Sequence, residues 1–366
     1  MQYRRFGKTE LRLSVFSLGT MRALTSVDTL AQVVEAALAR GINHLETARG
    51  YGASEAYLGQ ILTAASRREL VLTTKLLPGA DFDRQLDESL ERLNTDYLDC
   101  LAIHGVNTPH HLDQVRSQLS ILERLLTDGR VRHIGFSSHG SLSLILAAMA
   151  EPIFSFVNLH YYYFNQRNVQ AIALAHQLDL GVFIISPGDK GGQLYTPPPL
   201  LENLCQPFSP LELTYRWLLS DRRITTLSVG PATPQELDWP LRVADTVGPL
   251  TLDEQQALAN LEAPLVQMQD RCSQCYACLP CPEEIHIPEV LRLRNLAVAY
   301  DMVSYGQYRY GMFEQAGHWF PGRKASRCTD CGDCLPRCPE QLSIPELLRD
   351  THQRLKGAER RRLWSD

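Results

Sequence analysis

Short apolar segments alternate with longer amphipathic segments along about the first 245 residues. A helical pattern trails each apolar segment, most clearly at 28–40, 54–65, 81–94 and 111–128. Strands that are apolar along nearly their whole length are typical of a parallel sheet with both faces covered. The segments that predict strands are 13–19, 42–48, 70–76, 97–105, 131–138, 153–161, 181–187 and 224–230.

Eight strand–helix units in this length predict an α/β fold of the (β/α)8 TIM barrel type. A doubly wound open sheet is the alternative, but the GxGxxG motif common in that fold does not follow the first strand. The repeating pattern ends near Gly248, and TLDEQQALANLEAPLVQ then predicts a connecting helix. We expect the barrel domain to span residues 1–262.

Residues 263–366 contain two cysteine runs that follow a common pattern. Residues 272–282 read CxxCxxCxxCP, and residues 328–339 read CxxCxxCxxxCP, the bacterial ferredoxin spacing for a [4Fe-4S] cluster. An Ile-Pro pair follows each run and predicts the start of a helix. We therefore expect a small, mainly α-helical, ferredoxin-like iron–sulfur domain, with helix between the runs and a basic C-terminal tail.

In two-cluster ferredoxins the cysteine before proline binds the cluster of the other run. This crossed rule predicts two [4Fe-4S] clusters, and zinc or a single cluster is the alternative. Zinc sites use pairs of CxxC and have no need of a third cysteine at the same interval. The predicted ligands are Cys272, Cys275, Cys278 and Cys338 for one cluster, and Cys281, Cys328, Cys331 and Cys334 for the other.

The composition and the N-terminal sequence limit the partners and the cellular compartment that we expect. The formal charge is −5, with no Lys/Arg cluster before the last twenty residues, so nucleic acid is not an expected partner. The N-terminus lacks the apolar segment of a signal peptide, and no apolar run approaches the roughly 18 residues of a membrane span. We therefore expect a cytoplasmic protein, in which cysteines bind metal more often than they form disulfides.

Four ionisable residues fall at the ends of predicted strands 2, 3 and 4, where a barrel carries its chemistry. They are Glu46, Tyr51, Lys75 and His104. A buried lysine beside a tyrosine favours the phenolate, and a carboxylate beside the lysine keeps the ammonium charged. Tyr51 would then be a general acid for a carbonyl oxygen, and His104 would donate a hydrogen bond that positions this oxygen. Taken singly, His104 also fits a core histidine and Lys75 a side chain reaching from a strand end to solvent.

The segments GINHLETARGYGASEAYLG, VLTTK and LDCLAIHG resemble the signature segments of the aldo-keto reductases, over roughly residues 3–262. The resemblance implies a (β/α)8 barrel that uses NADP or NAD. It places the family's catalytic tyrosine, lysine and histidine on Tyr51, Lys75 and His104, and its aspartate on Glu46. With its cysteine-rich end, the whole chain resembles the subgroup that carries a C-terminal ferredoxin-like domain.

The resemblance also implies a nicotinamide site, in which this chain departs from the family. Ser137 and Ser138 stand where the family has Ser-Asn, and Asn158 stands where it has glutamine. Ile185 replaces the tyrosine that stacks on the nicotinamide. The loop VGPATPQELDW lacks the Lys or Arg that commonly faces the NADP 2′-phosphate.

Further nucleotide contacts are expected around the same barrel mouth. The glycine-rich loop SPGDKGGQLY contains Ser186 and Lys190, which suit a pyrophosphate, although the loop equally fits a flexible turn. The other residues that we assign to cofactor binding are Gly19, Thr20, Gly230 and Thr233.

Three functional hypotheses follow. The favoured one is an oxidoreductase that converts a small carbonyl or alcohol substrate with NAD(P)H, while its clusters exchange electrons with a redox protein such as a ferredoxin. The second is an electron-transfer or docking subunit whose barrel no longer turns over NAD(P)H. The third is a plain reductase with structural clusters. Nicotinamide transfers hydride and a cluster transfers single electrons, and the chain has no flavin fingerprint to link them.

Overall fold

The computed structural model describes residues 1–79, 81–246 and 248–357, and these form two compact units. The first unit comprises Met1–Gly191 and Thr214–Pro249, and the second comprises Gly192–Leu213 and the described residues from Leu250 onward. The predicted division at residue 262 falls inside a helix of the second unit. Most of the predicted basic tail, from residue 358, lies outside the described residues.

Eight parallel strands of the first unit close into a barrel, as predicted from the alternating pattern. Each strand pairs with the next along the chain, and the last pairs with the first. Their residues are almost all buried, which explains the continuous apolar runs. The barrel strands are β3 Phe16–Gly19, β4 His44–Glu46, β5 Val71–Leu76, β6 Leu98–Ile103, β7 Val131–Ser137, β8 Phe156–Leu159, β9 Gly181–Ile184 and β10 Thr226–Val229.

An N-terminal hairpin precedes the barrel and is absent from the sequence-based prediction. Its strands, β1 Tyr3–Arg5 and β2 Arg12–Ser14, pair antiparallel. The predicted first strand, 13–19, therefore divides at Val15 into the end of β2 and the whole of β3. The hairpin is rich in arginine, so its sequence lacks the apolar run by which the other strands were recognised.

Helices follow the barrel strands and continue into the second unit. The predicted helix 54–65 is two helices, because Thr63 accepts a hydrogen bond from the Ser66 N–H and caps a new start. The predicted helix 111–128 is likewise divided, at residues 117–118. In the first unit the helices are α1 Val27–Ala39, α2 Ser54–Ile61, α3 Ala64–Arg68, α4 Phe82–Leu93, α5 Pro109–Arg116, α6 Leu119–Thr127, α7 Leu142–Met149, α8 Val169–Gln177 and α11 Asp238–Leu241, with a 3-10 turn at Pro234–Leu237.

The second unit is helical, as predicted, and its central helix packs against three others. The buried ion pair Glu289–Arg292 lies one turn apart on that helix, and the Tyr300 hydroxyl donates to the Leu261 carbonyl at 2.7 Å. Its helices are α9 Pro199–Cys205, α12 Leu252–Gln267, α13 Ile287–Tyr300, α14 Val303–Tyr310 and α15 Ile344–Leu355, with 3-10 turns at Gly317–Trp319 and Ala325–Arg327, while α10 Pro210–Ser220 begins in this unit and ends in the first. Among the described residues, no helix is both long and apolar enough to cross a membrane.

The strand register places polar residues in one layer at the carboxyl end of the barrel. Ser137 on β7 pairs with Asn158 on β8, and Ile103 pairs with Phe136, so His104 comes level with Ser137. Side chains two residues apart on a strand point to the same side of the sheet. Successive layers of side chains at the barrel mouth therefore come from residues two positions apart along each strand.

Candidate active site and cluster sites

Lys75 is the centre of the polar group inside the barrel. Its side chain is 2% exposed, and its ammonium forms an ion pair with Glu46 at the end of β4. The ammonium also donates to the Thr47 carbonyl at 2.9 Å and to the Tyr51 hydroxyl at 3.1 Å. A buried ammonium with three partners is held in one position, which fixes the point from which it acts on Tyr51.

The charge of Lys75 survives its burial. Burial by itself lowers the pKa of a lysine, but the Glu46 carboxylate and the Tyr51 hydroxyl outweigh it, so the pKa of Lys75 lies above the ordinary value. The ammonium also stands 4.5 Å from the centre of the Tyr51 ring. A permanent cation at this place stabilises negative charge on the tyrosine oxygen.

Tyr51 lies in the loop between β4 and α2, where a backbone turn fixes it. Its N–H donates to the Ala48 carbonyl at 3.0 Å, and its carbonyl accepts from Ser54 at 3.1 Å. The His104 ring meets the Tyr51 ring edge-on, with centres 5.8 Å apart. The structure thus brings together all four residues predicted as catalytic.

A neutral histidine lies inside the barrel near Lys75. His44 on β4 is fully enclosed and hydrogen-bonds Ser17 and Thr73, each at 2.7 Å. Burial and the nearby Lys75 charge lower the pKa of His44 to about 3. His44 therefore stays uncharged, and Glu46 is the ion-pair partner of Lys75.

Asn158 is fully buried at the end of β8, and neither atom of its side-chain amide has a hydrogen-bond partner among the described residues. A buried amide without partners costs about 1–3 kcal/mol. Asn158 lies in one layer with His104 and Ser137. A ligand amide at this place would hydrogen-bond both the oxygen and the nitrogen of the Asn158 side chain.

The two serines predicted at this site differ in their bonding. Ser137 accepts a hydrogen bond from the Gly105 N–H at 2.9 Å, which leaves its hydroxyl proton able to donate. Ser138 donates to the Val106 carbonyl at 2.6 Å and accepts from the Gly140 N–H at 3.0 Å. The Ser138 proton is therefore committed to the backbone.

Gly19 and Thr20 lie at the end of β3, beside Glu46. Gly19 pairs with Glu46 in the sheet, and the Thr20 N–H and hydroxyl both reach the Glu46 carbonyl at 3.2 Å. The Thr20 hydroxyl also hydrogen-bonds Ser54 at 2.6 Å. Both residues thus help to position the backbone of Glu46.

The loop after β10 holds the predicted nucleotide contacts Gly230 and Thr233. Gly230 accepts a hydrogen bond from Arg22 at 2.9 Å, and Arg22 also forms an ion pair with Glu236. Thr233 is exposed just before the 3-10 turn. Arg22 thus brings a guanidinium to a loop that has no Lys or Arg of its own. The sequence pattern did not predict this contact, because Arg22 belongs to the loop after β3.

Ser186 and Lys190 lie in the loop that follows β9. Ser186 has a left-handed backbone, with φ of 51°, and the Lys190 N–H closes a turn on its carbonyl at 3.0 Å. Both side chains are partly buried. The turn places the two residues together, and their contact with a pyrophosphate stays a prediction.

A histidine–histidine–tyrosine chain lies one layer beyond Ser137 and Asn158. The His160 Nε2 lies 3.1 Å from the near ring nitrogen of His139, and His160 Nδ1 hydrogen-bonds Tyr162. Tyr162 donates to the Ile185 carbonyl at 2.6 Å. Sequence reasoning did not identify this chain, although its histidines follow Ser137 and Asn158 at the two-residue spacing of a strand face.

The eight clustered cysteines of the second unit surround two cavities. We name them the first and the second cysteine cavity, and define each by the cysteines that line it. Each takes three thiols from one run and one from the other, which is the crossed grouping predicted. The first is lined by Cys272, Cys275, Cys278 and Cys338, and the second by Cys281, Cys328, Cys331 and Cys334.

The chemistry of these thiols fits an iron–sulfur cluster. Four thiols around one cavity provide one thiolate for each iron of a cubane. Among the described residues, no three His, Cys, Asp or Glu side chains are grouped to hold a single metal ion. Burial raises the pKa of the Cys278 thiol to about 12, so metal binding there must release a proton.

Comparisons with known proteins agree with the two units. Residues 16–195 match the aldo/keto reductase family, and residues 271–342 match a 4Fe-4S dicluster domain. The 6-dehydroglucose reductase of Novosphingobium aromaticivorans is 32% identical over 37% of this chain. The chain covers 51% of the length of that relative.

Two further proteins are similar over a larger share of the chain. The uncharacterized oxidoreductase YrpG of Bacillus subtilis is 24% identical over 65% of this chain and 89% of its own length. The holo structure of aldo-keto reductase AKR11C1 from Bacillus halodurans superposes with a TM-score of 0.63 at 22% identity, over 71% of this chain and 95% of that one. The chain therefore consists of an aldo/keto reductase barrel followed by a C-terminal 4Fe-4S dicluster domain.

Proposed function

We propose that this protein is an NAD(P)-linked oxidoreductase for a small carbonyl or alcohol, with Tyr51 as its acid and base. In the same proposal the eight cysteines bind two [4Fe-4S] clusters, and a redox protein such as a ferredoxin exchanges electrons with them. A bound nicotinamide would supply or accept hydride, and each cluster would carry one electron.

The contact between Lys75 and Tyr51 carries the proposal. In carbonyl reduction the substrate oxygen gains negative charge, and the Tyr51 hydroxyl gives it a proton. Lys75, charged and 3.1 Å away, then stabilises the phenolate that remains. In alcohol oxidation the same phenolate takes the proton back. In the proposal His104, whose ring meets the Tyr51 ring edge-on, donates a hydrogen bond to the substrate oxygen.

Asn158 supports the nicotinamide part of the proposal. A carboxamide offers one acceptor and two donors, which complement the unpartnered oxygen and nitrogen of the Asn158 side chain. Ser137, in the same layer, has a hydroxyl proton to donate. Toward the phosphates the proposal rests mainly on Lys190, because the loop after β10 has no Lys or Arg of its own up to Trp239 and the charge of Arg22 is offset by its ion pair with Glu236.

Hydride chemistry and single-electron chemistry are assigned to different parts of the chain. Tyr51 and its neighbours handle a proton and are suited to a two-electron carbonyl reaction. The cysteine cavities suit single-electron exchange with another protein. The competing proposal, a docking or electron-transfer subunit with an inactive barrel, draws on Ile185, which stands where the resemblance expects a stacking tyrosine.

Two measurements on the anaerobically purified protein test the proposal. Calorimetric titration with NADPH and with NADH should give saturable binding, and Asn158→Leu should weaken it. Oxidation of the bound nucleotide by a panel of small aldehydes should then depend on Tyr51. Absence of nucleotide binding would favour the docking subunit, whereas binding without turnover on any aldehyde or alcohol would remove the catalytic assignment.

A further inference from the structure

The two cysteine runs share their backbone conformation at three equivalent positions and are followed by helices that begin at equivalent positions. Helices α13 and α15 each begin at the sixth residue after the last cysteine of the preceding run. Residues at equivalent places share a left-handed backbone, although only one of them is glycine. These pairs are Gln274 and Asp330, Tyr276 and Gly332, and Glu284 and Gln341. The charged residues of the two runs can therefore be compared at equivalent positions.

The main difference between the runs is one additional residue. The first run reads Leu-Pro-Cys before its final proline, and the second reads Leu-Pro-Arg-Cys, so Arg337 has no counterpart. The Arg337 guanidinium donates to the Asp333 carbonyl at 2.8 Å and to the Pro280 carbonyl at 3.0 Å. It is thus fixed between the two runs, and it lines the second cysteine cavity.

The two cavities consequently differ in local charge. The first cysteine cavity is lined by Glu340, and among the described residues none that lines it is basic. The second is lined by Arg337 and Glu283, which offset each other. Asp330, next to the second cavity, is paired with Arg349 at 2.5 Å. The first cavity is therefore net negative and the second close to neutral.

We propose that Arg337 and Glu340 set unequal reduction potentials at the two cysteine cavities, so that an electron comes to rest in the second. Reduction adds negative charge, which a nearby guanidinium favours and a nearby carboxylate opposes. In a transfer between them, the cluster held by the first cavity would lose one electron and the cluster held by the second would gain it. No bond or proton changes place. This inference rests on the two-cluster part of the proposed function.

A redox titration of the full-length, anaerobically purified protein, followed by EPR, tests this inference. We expect two one-electron steps. Arg337→Gln should shift the higher-potential step downward and leave the lower one in place, while Arg337→Lys, which keeps the charge, should stay near the parent. Glu340→Gln should shift the lower-potential step upward. Arg354→Gln is the matched control, because Arg354 lies on α15, pairs with Asp350 and lines neither cavity.

The outcomes separate failure of the inference from failure of the proposed function. Iron analysis comes first, and about eight iron atoms per chain are expected for two cubanes. A value near four overturns the two-cluster proposal and the inference with it. With two clusters present, coincident potentials in the parent overturn the inference alone. The inference is also overturned if Arg337→Gln and Glu340→Gln shift the same step. It is overturned as well if Arg337→Gln shifts neither step.

Discussion

The Lys75 ammonium lies 3.1 Å from the Tyr51 hydroxyl and forms an ion pair with Glu46 inside the barrel. One buried cation therefore serves two neighbours with different needs. The Lys75 ammonium neutralises the buried Glu46 carboxylate, which stabilises the fold. It also stabilises negative charge on the Tyr51 oxygen during proton transfer. These two roles can be separated by mutation.

The first prediction separates stability from catalysis at this site. Lys75→Met should slow carbonyl reduction by about a hundredfold or more, because the tyrosine phenolate loses its cation. The same change leaves Glu46 buried without its partner and should lower the free energy of unfolding by about 3–5 kcal/mol. The double variant Lys75→Met/Glu46→Leu should recover much of the stability and none of the activity. Recovery of both, measured by denaturant unfolding and NADPH oxidation, would contradict the role given to Lys75.

The second prediction concerns the unpartnered amide of Asn158. Asn158→Leu keeps the approximate shape and removes two unsatisfied polar atoms, so the nucleotide-free barrel should gain about 1–3 kcal/mol of stability. The gain in melting temperature that excess NADPH gives the parent should shrink in the variant, because binding is weakened. A destabilised variant with an undiminished NADPH effect would show that Asn158 is structural. Ser155→Ala is a control at the start of the same strand segment, away from the layer of Ser137.

The fold was largely predictable because buried strands leave a strong signal. All eight barrel strands lie within the segments predicted from apolar runs, since both faces of each strand are covered. The hairpin β1–β2 was missed because its arginine-rich strands have no such run. The helix division at Leu62 depends on the cap formed by Thr63, which hydrophobic periodicity does not record. The division at residues 117–118 has no side-chain cap at its new helix start and gives no sequence signal of that kind.

In the candidate site, only the residues at or just after the ends of barrel strands were predictable from the sequence. Glu46, Tyr51, Lys75 and His104 are near in space because they lie at or just after the carboxyl ends of neighbouring strands. Arg22 was missed because it reaches Gly230 from a loop distant in sequence. Whether a serine hydroxyl is available also depends on three-dimensional contacts, and those of Ser138 were not visible in the pattern.

A third prediction follows from the neutral state of His44. Its pKa is lowered to about 3 in the folded chain and is 6.5 when unperturbed, so the unfolded state binds the proton first as pH falls. The stability linked to His44 is complete above pH 6.5 and is lost between pH 6.5 and 3, by roughly 5 kcal/mol at most. Denaturant unfolding of the parent and of His44→Gln across this range should show a shallower acid dependence in the variant. Equal slopes would mean that His44 does not contribute.

A fourth prediction concerns how the cysteines are shared between clusters. Cys338→Ala should damage the same cluster as Cys275→Ala, although the two residues belong to different runs. Cys281→Ala should instead match Cys331→Ala. EPR spectra of the remaining cluster, together with iron content, distinguish the groups. If Cys338→Ala gave the spectrum of Cys331→Ala, each run would hold its own cluster and the crossed grouping would be wrong.

The proposed function requires above all that the Tyr51 hydroxyl exchanges a proton with the substrate. The most direct measurement compares NADPH-dependent aldehyde reduction by the parent and by Tyr51→Phe, which removes one oxygen atom and keeps the ring that faces His104. We expect kcat to fall by at least about a hundredfold, with NADPH affinity and iron content unchanged. A Tyr51→Phe variant that reduces aldehydes as fast as the parent would contradict the account.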